Sequence, residues 1–159
     1  MSRNVTLVVA GLVIAVLVTA SAPSAWAQAV KTNDPCSLLT RAQIAKATGI
    51  QVAKGEKGAP IPGAIGSCWW VASDGTRIVV TIADASHMQV TMQSQVQAGA
   101  AKLPGLGLSA VATKGNAETE GGYNISVLDR KGGVAVSILG AAGTSDRTVA
   151  LAKLIETHR

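Results

Sequence analysis

The sequence is poor in the residue types that mark catalytic, metal-binding and nucleic-acid-binding proteins. Its 159 residues include no Phe, one Tyr, three Trp, two Cys and two His, and only 14% of them are charged. With so few aromatics, the core has to be aliphatic, and nucleic-acid bases find almost no rings to stack on. The formal net charge is +5, and 48% of the residues are hydrophobic, which excludes intrinsic disorder.

Part of the hydrophobic excess belongs to an N-terminal export signal. Arg3 supplies a positive charge, residues 5–20 run without any charge, and Ala25-Trp26-Ala27 has the pattern of a cleavage site. We therefore expect a secretory signal peptide that is removed before Gln28. A retained membrane anchor is the alternative, but the apolar run is shorter than the ~20 residues that span a bilayer.

These signals predict three segments: a cleaved signal peptide at 1–27, a mobile leader at 28–33, and a single α+β domain at 34–159. The expected location is outside the cytoplasm, periplasmic or secreted after cleavage. The sequence has no Cys at the cleavage site, so a lipid cannot be attached there. Contact with the membrane is expected only through the signal segment, if it is uncleaved.

Cys36 and Cys68 are the only cysteines, and both lie in the exported part. An even cysteine count in an oxidising compartment predicts a disulfide. The alternatives are free or exchanging thiols and a metal site completed by His87 and His158. Neither a C-x-x-C motif nor a zinc-ligand spacing occurs in the sequence, so we expect the disulfide, no metal and no cofactor.

The apolar pattern predicts an α+β fold, with an antiparallel sheet of about five to six strands and about three packed helices. A helix is expected to end at Gly49, a second to cover Ser86–Ala98, and a third to begin at Thr144 or Ser145. The Gly- and Pro-rich segment Lys54–Ser67 is expected to be a surface loop. The predicted strands are Ile50–Ala53, Cys68–Ala72, Arg77–Ala83, Ala110–Thr113, Tyr123–Asp129 and Val134–Leu139.

Four motifs in this order resemble those of a known family. They are the opening Asp34-Pro35-Cys36-Ser37-Leu38-Leu39-Thr40, the pair Cys68-Trp69, the run Leu103–Gly107, and a C-terminal helix. Together they resemble a family of small exported bacterial proteins of unknown function, many of them lipid-anchored. The resemblance implies a cell-envelope or secreted α+β domain with one disulfide. It implies no activity.

The motifs that could carry chemistry are better explained by structure. Gly105-x-Gly107-x-x-Ala110 has the spacing of a dinucleotide fingerprint, but Pro104 precedes it and a strand follows, which indicates a turn. Glu118 and Glu120 fall in a polar loop and are expected to be solvated. Asp84 ends the central strand, where functional residues often lie, and helix capping explains it equally well. His87 and His158 are expected to be solvated too.

Trp69 and Trp70 are the strongest candidates for contact with a partner. Neighbouring strand residues face opposite sides of a sheet, so one Trp is expected in the core and the other outside it or under a helix. An exposed Trp is typical of an interface hot spot. The alternative, which the composition favours, is that both Trp pack beneath helices around the disulfide.

We therefore expect a non-enzymatic, exported cell-envelope module that binds an unknown envelope protein or a small apolar ligand, and no nucleic acid. Two alternatives stay open: an envelope hydrolase using His87 and Asp84, and a secreted inhibitor acting through the Lys54–Ser67 loop.

Overall fold

The computed structural model describes residues 34–59, 61–115 and 121–159. The predicted signal peptide and leader, together with Glu118 and Glu120, lie outside the described residues. The elements follow the chain as a 3₁₀ turn Pro35–Ser37, α1 Arg41–Thr48, β1 Glu56–Lys57, β2 Ala64–Val71, β3 Arg77–Ala83, α2 Ala85–Gln97, β4 Ala101–Lys102, β5 Ser109–Lys114, β6 Tyr123–Asp129, β7 Gly132–Leu139 and α3 Ser145–His158.

The strands form one antiparallel sheet in the order β1-β2-β3-β7-β6-β5-β4. This confirms the predicted α+β fold, but the described sheet has seven strands, more than expected. The additional strands, β1 and β4, are two residues long and lie at the edges. Strands this short contain no alternation that a sequence pattern could reveal. The predicted strand Ile50–Ala53 is reduced to an isolated bridge between Val52 and Ala72.

The segment Lys54–Ser67 is not a loop throughout. It contains β1, and β2 begins inside it at Ala64 rather than at Cys68. The pairing of β2 with β3 is irregular between Ala64 and Gly66. The Gly and Ala residues here gave no β-propensity signal, and the partner strand β3 holds them in the sheet instead.

One face of the sheet, which we call the inner face, carries the main core. Val80, Val136 and Ile125 are fully buried on neighbouring strands, and they belong to one cluster with Ile44 of α1 and Leu151 of α3. Helices α1 and α3 also contact each other. The inner face is covered by α3 over β6 and β7 and by the 3₁₀ turn over β2 and β3, and α1 packs against α3. This aliphatic packing is the core that the composition predicted.

The opposite, outer face is covered only in part. Helix α2 contacts β5, β6 and β7. Its buried Met88 and Met92 form a second cluster with Ala83 and Val111. The outer side chains of β2 and β3 are more accessible, since Trp69 and Val79 are half-buried and Val71 is 45% exposed.

Local sequence signals set the helix ends. Thr40 and Gln43 form a capping box at the start of α1, and Gly49 ends that helix at a φ of 74°. Met88 and Met92 lie on the buried face of α2 as expected, but Val96 does not, because it is 38% exposed. Val96 follows Met88 by eight residues, which is more than two helical turns of 3.6 residues each. The side chain of Val96 therefore points away from the face that buries Met88.

The predicted disulfide between Cys36 and Cys68 is present, with an S–S distance of 2.00 Å and a Cα–Cα distance of 5.0 Å. It joins the 3₁₀ turn to the middle of β2, on the inner face. Such a bond is compatible with an oxidising, exported compartment. In the part of the chain that the structure describes, no helix is long and apolar enough to cross a membrane.

Candidate functional site

Trp69 and Trp70 lie on opposite faces of β2, as strand alternation predicts. Trp70 is 1% exposed and packs on the inner face. A Cβ at Gly55 would come within 2.6 Å of Trp70 Nε1 and 2.9 Å of Cys68 Sγ, so this backbone, the indole and the disulfide are in close contact. Trp70 is a core residue, and of the two candidates only Trp69 is accessible to a partner.

The indole of Trp69 contacts the Arg77 side chain and the Gly58 backbone on the outer face. The guanidinium carbon of Arg77 lies 6.0 Å from the centroid of the ring, which is within cation–π range. A Cβ at Gly58 would overlap Trp69 Nε1, so one edge of the ring rests on that backbone. Trp69 Nε1 is buried and has no hydrogen-bond partner. The Gly58 backbone and the Arg77 side chain therefore restrict the positions that the ring can take.

An exposed aliphatic side chain lies next to this indole, since Val71 is two residues further along β2 on the same face and is 45% exposed. Ile65 (51% exposed) and Ile61 (44%) line a neighbouring groove, which shares Lys57, Gly58 and Ala59 with the groove beside Trp69. Beside Trp69 and Val71 is a groove of about 310 Å³, whose other wall is the segment from Ala53 to Ala59. We call Trp69, Val71, Ile65, Lys54 and Lys57 the Trp69 patch. A large apolar centre with a charged rim is the composition of a protein interface.

The charged rim of the patch is mostly basic. Lys54 and Lys57 are exposed, Arg77 lies beside the ring, and Glu56 is the acidic residue of the groove lining. Lys57 forms an exposed ion pair with Asp34 at 3.4 Å, which contributes little to stability because water screens it. Three basic side chains thus lie beside two acidic ones, Glu56 and Asp34, and this small positive excess favours a partner with an acidic or neutral surface.

Asp84 and His87 form a helix cap. Asp84 Oδ1 accepts a hydrogen bond from the backbone N–H of His87 at 2.7 Å and another from the Ser86 hydroxyl at 2.6 Å. These bonds, with the His87 amide contributing most, hold the pKa of Asp84 below its ordinary value of 3.8. The carboxylate therefore uses Oδ1 to begin α2, so of the two explanations for Asp84 the structure shows helix capping.

His158 connects α3 to α1. Gln43 Oε1 accepts from the Thr40 N–H at 2.8 Å, so the Gln43 amide nitrogen faces His158 Nε2, also at 2.8 Å. His158 Nδ1 lies 2.7 Å from the Leu154 carbonyl oxygen. This arrangement assigns the ring proton to Nδ1, because Nε2 has to accept from Gln43. The side chain is exposed but structurally engaged.

The remaining motifs have structural roles. Gly105 and Gly107 adopt φ values of 80° and 53° in the turn before β5, so the fingerprint-like spacing is a turn, as predicted. Arg130 and Lys131 connect β6 to β7. In the described ranges, no group of three or more His, Cys, Asp and Glu side chains could hold a metal ion.

Comparison with known proteins identifies no relative of this chain. No family model, no curated protein and no solved structure matches this chain. The resemblance to the family of exported proteins therefore stays a prediction from the motifs.

Proposed function

We propose that this protein is an exported, non-enzymatic module of the cell envelope that binds a protein partner through the Trp69 patch. The observation that carries the proposal is the half-buried indole of Trp69, packed against the Gly58 backbone and next to the exposed Val71. A ring whose positions are already restricted loses less conformational entropy on binding, and Trp is among the residues most enriched at interface hot spots.

A protein suits this surface better than a small apolar ligand. The groove of about 310 Å³ lies at the lower end of the range for ligand pockets. Ile65 and Ile61 do not line that groove, although they are among the most exposed aliphatic side chains in the described residues. A partner that covers both the Trp69 patch and the neighbouring groove lined by Ile61 and Ile65 would remove these side chains from water, which is the main favourable term in protein association.

The export part of the proposal is supported by the disulfide and by the sequence of residues 1–27. We expect protein recovered from the exported fraction to begin at Gln28 and to carry the disulfide. Intact mass spectrometry without reductant measures both. A mass that includes residues 5–20 would instead establish the anchored form.

The patch is tested by substitution in the oxidised protein that begins at Gln28. A partner is first captured from the envelope fraction of the source cells, purified, and measured by titration calorimetry. We expect Trp69→Ala to weaken binding by about thirtyfold, the effect of a hot-spot residue, and Val71→Ser to weaken it less. Leu108→Ala is the matched control, since Leu108 is 65% exposed and does not belong to the patch.

Circular dichroism and thermal unfolding of each variant separate lost contact from lost fold. If Trp69→Ala and Val71→Ser, both folded, bind the partner as tightly as the wild type, the patch is not the interface. Val71→Ser keeps the test decisive if Trp69→Ala unfolds.

The two alternative functions make different predictions on the same material. A hydrolase using His87 and Asp84 would lose turnover in His87→Ala, whereas a binding module would lose little. An inhibitor acting through Lys54–Ser67 would share the patch, because Lys54 and Lys57 line the groove beside Trp69. The inhibitor is distinguished by the identity of the captured partner, which would be an enzyme that loses activity on binding.

A further inference from the structure

A row of polar side chains crosses the outer face of the sheet beside α2. Thr113 on β5 is directly opposite Asn124 on β6, and Asn124 is directly opposite Ser137 on β7. The Ser137 hydroxyl donates to Asn124 Oδ1 at 2.8 Å, and Asn124 Nδ2 donates to Thr113 Oγ1 at 3.3 Å. All three are half-buried. The row is therefore oriented by its own hydrogen bonds and can still be reached from outside.

A cleft of about 390 Å³ lies over this row. Gln95 of α2 forms part of its wall, and Gln95 Oε1 is buried without a hydrogen-bond partner. Leaving a buried acceptor unpaired is unfavourable, so such a group calls for a physical explanation. A ligand in the cleft that offers a donor would supply the missing bond, with a small rotation of the Gln95 side chain.

The chemistry of the cleft restricts the ligand. Among the described residues that line it, Lys114 is the one charged side chain and no carboxylate is present. To a divalent cation, the described lining offers uncharged oxygen ligands only. A purely apolar ligand would remove the polar row from water without replacing its bonds. Hydroxyl and amide side chains each donate and accept, which matches ligand groups that also do both.

We propose that the cleft formed by Gln95, Thr113, Asn124 and Ser137 binds a neutral saccharide. Sugar hydroxyls donate to Gln95 Oε1 and exchange bonds with the polar row. The Leu139 side chain provides an apolar wall against which the carbon skeleton of the sugar packs. This site is separate from the Trp69 patch, because neither Trp69 nor Val71 lines the cleft. The saccharide proposal can therefore be tested independently of the proposed protein partner.

The test follows the side-chain amide signals of Gln95 and Asn124 by NMR in ¹⁵N-labelled, oxidised protein beginning at Gln28. The probes are cellobiose and N,N′-diacetylchitobiose as neutral saccharides, inorganic phosphate as an anion and trialanine as a peptide. We expect saturable shifts with at least one saccharide and none with the other two probes. Gln95→Leu should weaken binding at least tenfold, and Ser137→Ala should weaken it less.

Thermal unfolding separates a ligand role from a structural one. Gln95→Leu removes an unpaired buried acceptor, so its unfolding midpoint should not fall, while binding is lost. Gln93→Leu on the exposed side of α2 is the matched control and should bind normally. The proposal is overturned if neither saccharide shifts these signals, if only phosphate or trialanine does, or if Gln95→Leu binds as the wild type does.

Discussion

At the scale of single residues, the Trp69 patch depends on a glycine. A Cβ at Gly58 would overlap both Ser67 Oγ and Trp69 Nε1. The Gly58 N–H also donates to the Ser67 carbonyl at 3.0 Å, so this backbone has little freedom to move away. The absence of a side chain at Gly58 is therefore what allows the indole to lie against the backbone that follows β1.

We expect Gly58→Ala to lower the free energy of unfolding by about 1–3 kcal/mol, as overpacking does, and to displace the Trp69 ring. Urea unfolding gives the first quantity, and the fluorescence emission of the native state reports the second. Gly75→Ala is the control, because a Cβ there meets no atom within 4 Å, although its φ of +82° makes it mildly unfavourable. A Gly58→Ala protein with wild-type stability and emission would refute the contact.

Sequence reasoning predicts part of this site and misses part of it. Alternation along a strand assigns Trp69 and Trp70 to opposite faces, but it does not say which one is buried. That depends on the helices covering each face, and these pack through contacts distant in sequence. Gly58 and Gln95 gave no signal, because their roles arise only once β1 pairs with β2 and α2 crosses the sheet.

At the scale of the elements, Asp84 couples the start of α2 to pH. The His87 amide and the Ser86 hydroxyl hold its pKa below 3.8 in the folded protein. A carboxylate with a lowered folded-state pKa stabilises the fold above the unfolded-state value. That stability is lost as the pH falls from about 3.8 through the lower folded-state pKa.

Asn cannot lose a charge, so the free energy of unfolding of Asp84→Asn should fall less than that of the wild type as the pH is lowered from 5 to about 2–3. Urea unfolding at several pH values measures this dependence for the wild type and the variant. Asp146→Asn is the matched control, since Asp146 is an exposed carboxylate in the first turn of α3. A wild-type pH dependence in Asp84→Asn, or an equal change in Asp146→Asn, would show that the cap does not carry the effect.

Element ends that are marked by residues close in sequence were predictable. Element ends that depend on pairing with another strand were not. Thr40, Gly49 and Asp84 each mark a helix end through a hydrogen bond or a backbone angle within a few residues. The start of β2 at Ala64 depends instead on pairing with β3. The polar row of the cleft likewise needs the register of three strands, which the sequence does not display.

At the scale of the whole molecule, the disulfide joins the N-terminal segment to the sheet. Cys36 follows the start of the 3₁₀ turn, and Cys68 is fully buried in β2, 32 residues further along the chain. The same segment also contributes the buried Leu38, Leu39 and Ile44 to the main core. The bond is therefore one of two attachments, one covalent and one made by packing.

Because packing remains when the bond is lost, we expect the double variant Cys36→Ala, Cys68→Ala to fold. Its free energy of unfolding should fall by about 3–4 kcal/mol, the chain-entropy value for a loop of this length, plus a smaller packing loss at buried residue 68. Urea unfolding of the wild type with and without reductant isolates the first contribution, since the sulfur atoms stay in place. A loss well below 1 kcal/mol on reduction would mean that the unfolded chain is already compact between these cysteines, and that the aliphatic contacts of Leu38, Leu39 and Ile44 hold the N-terminal segment alone.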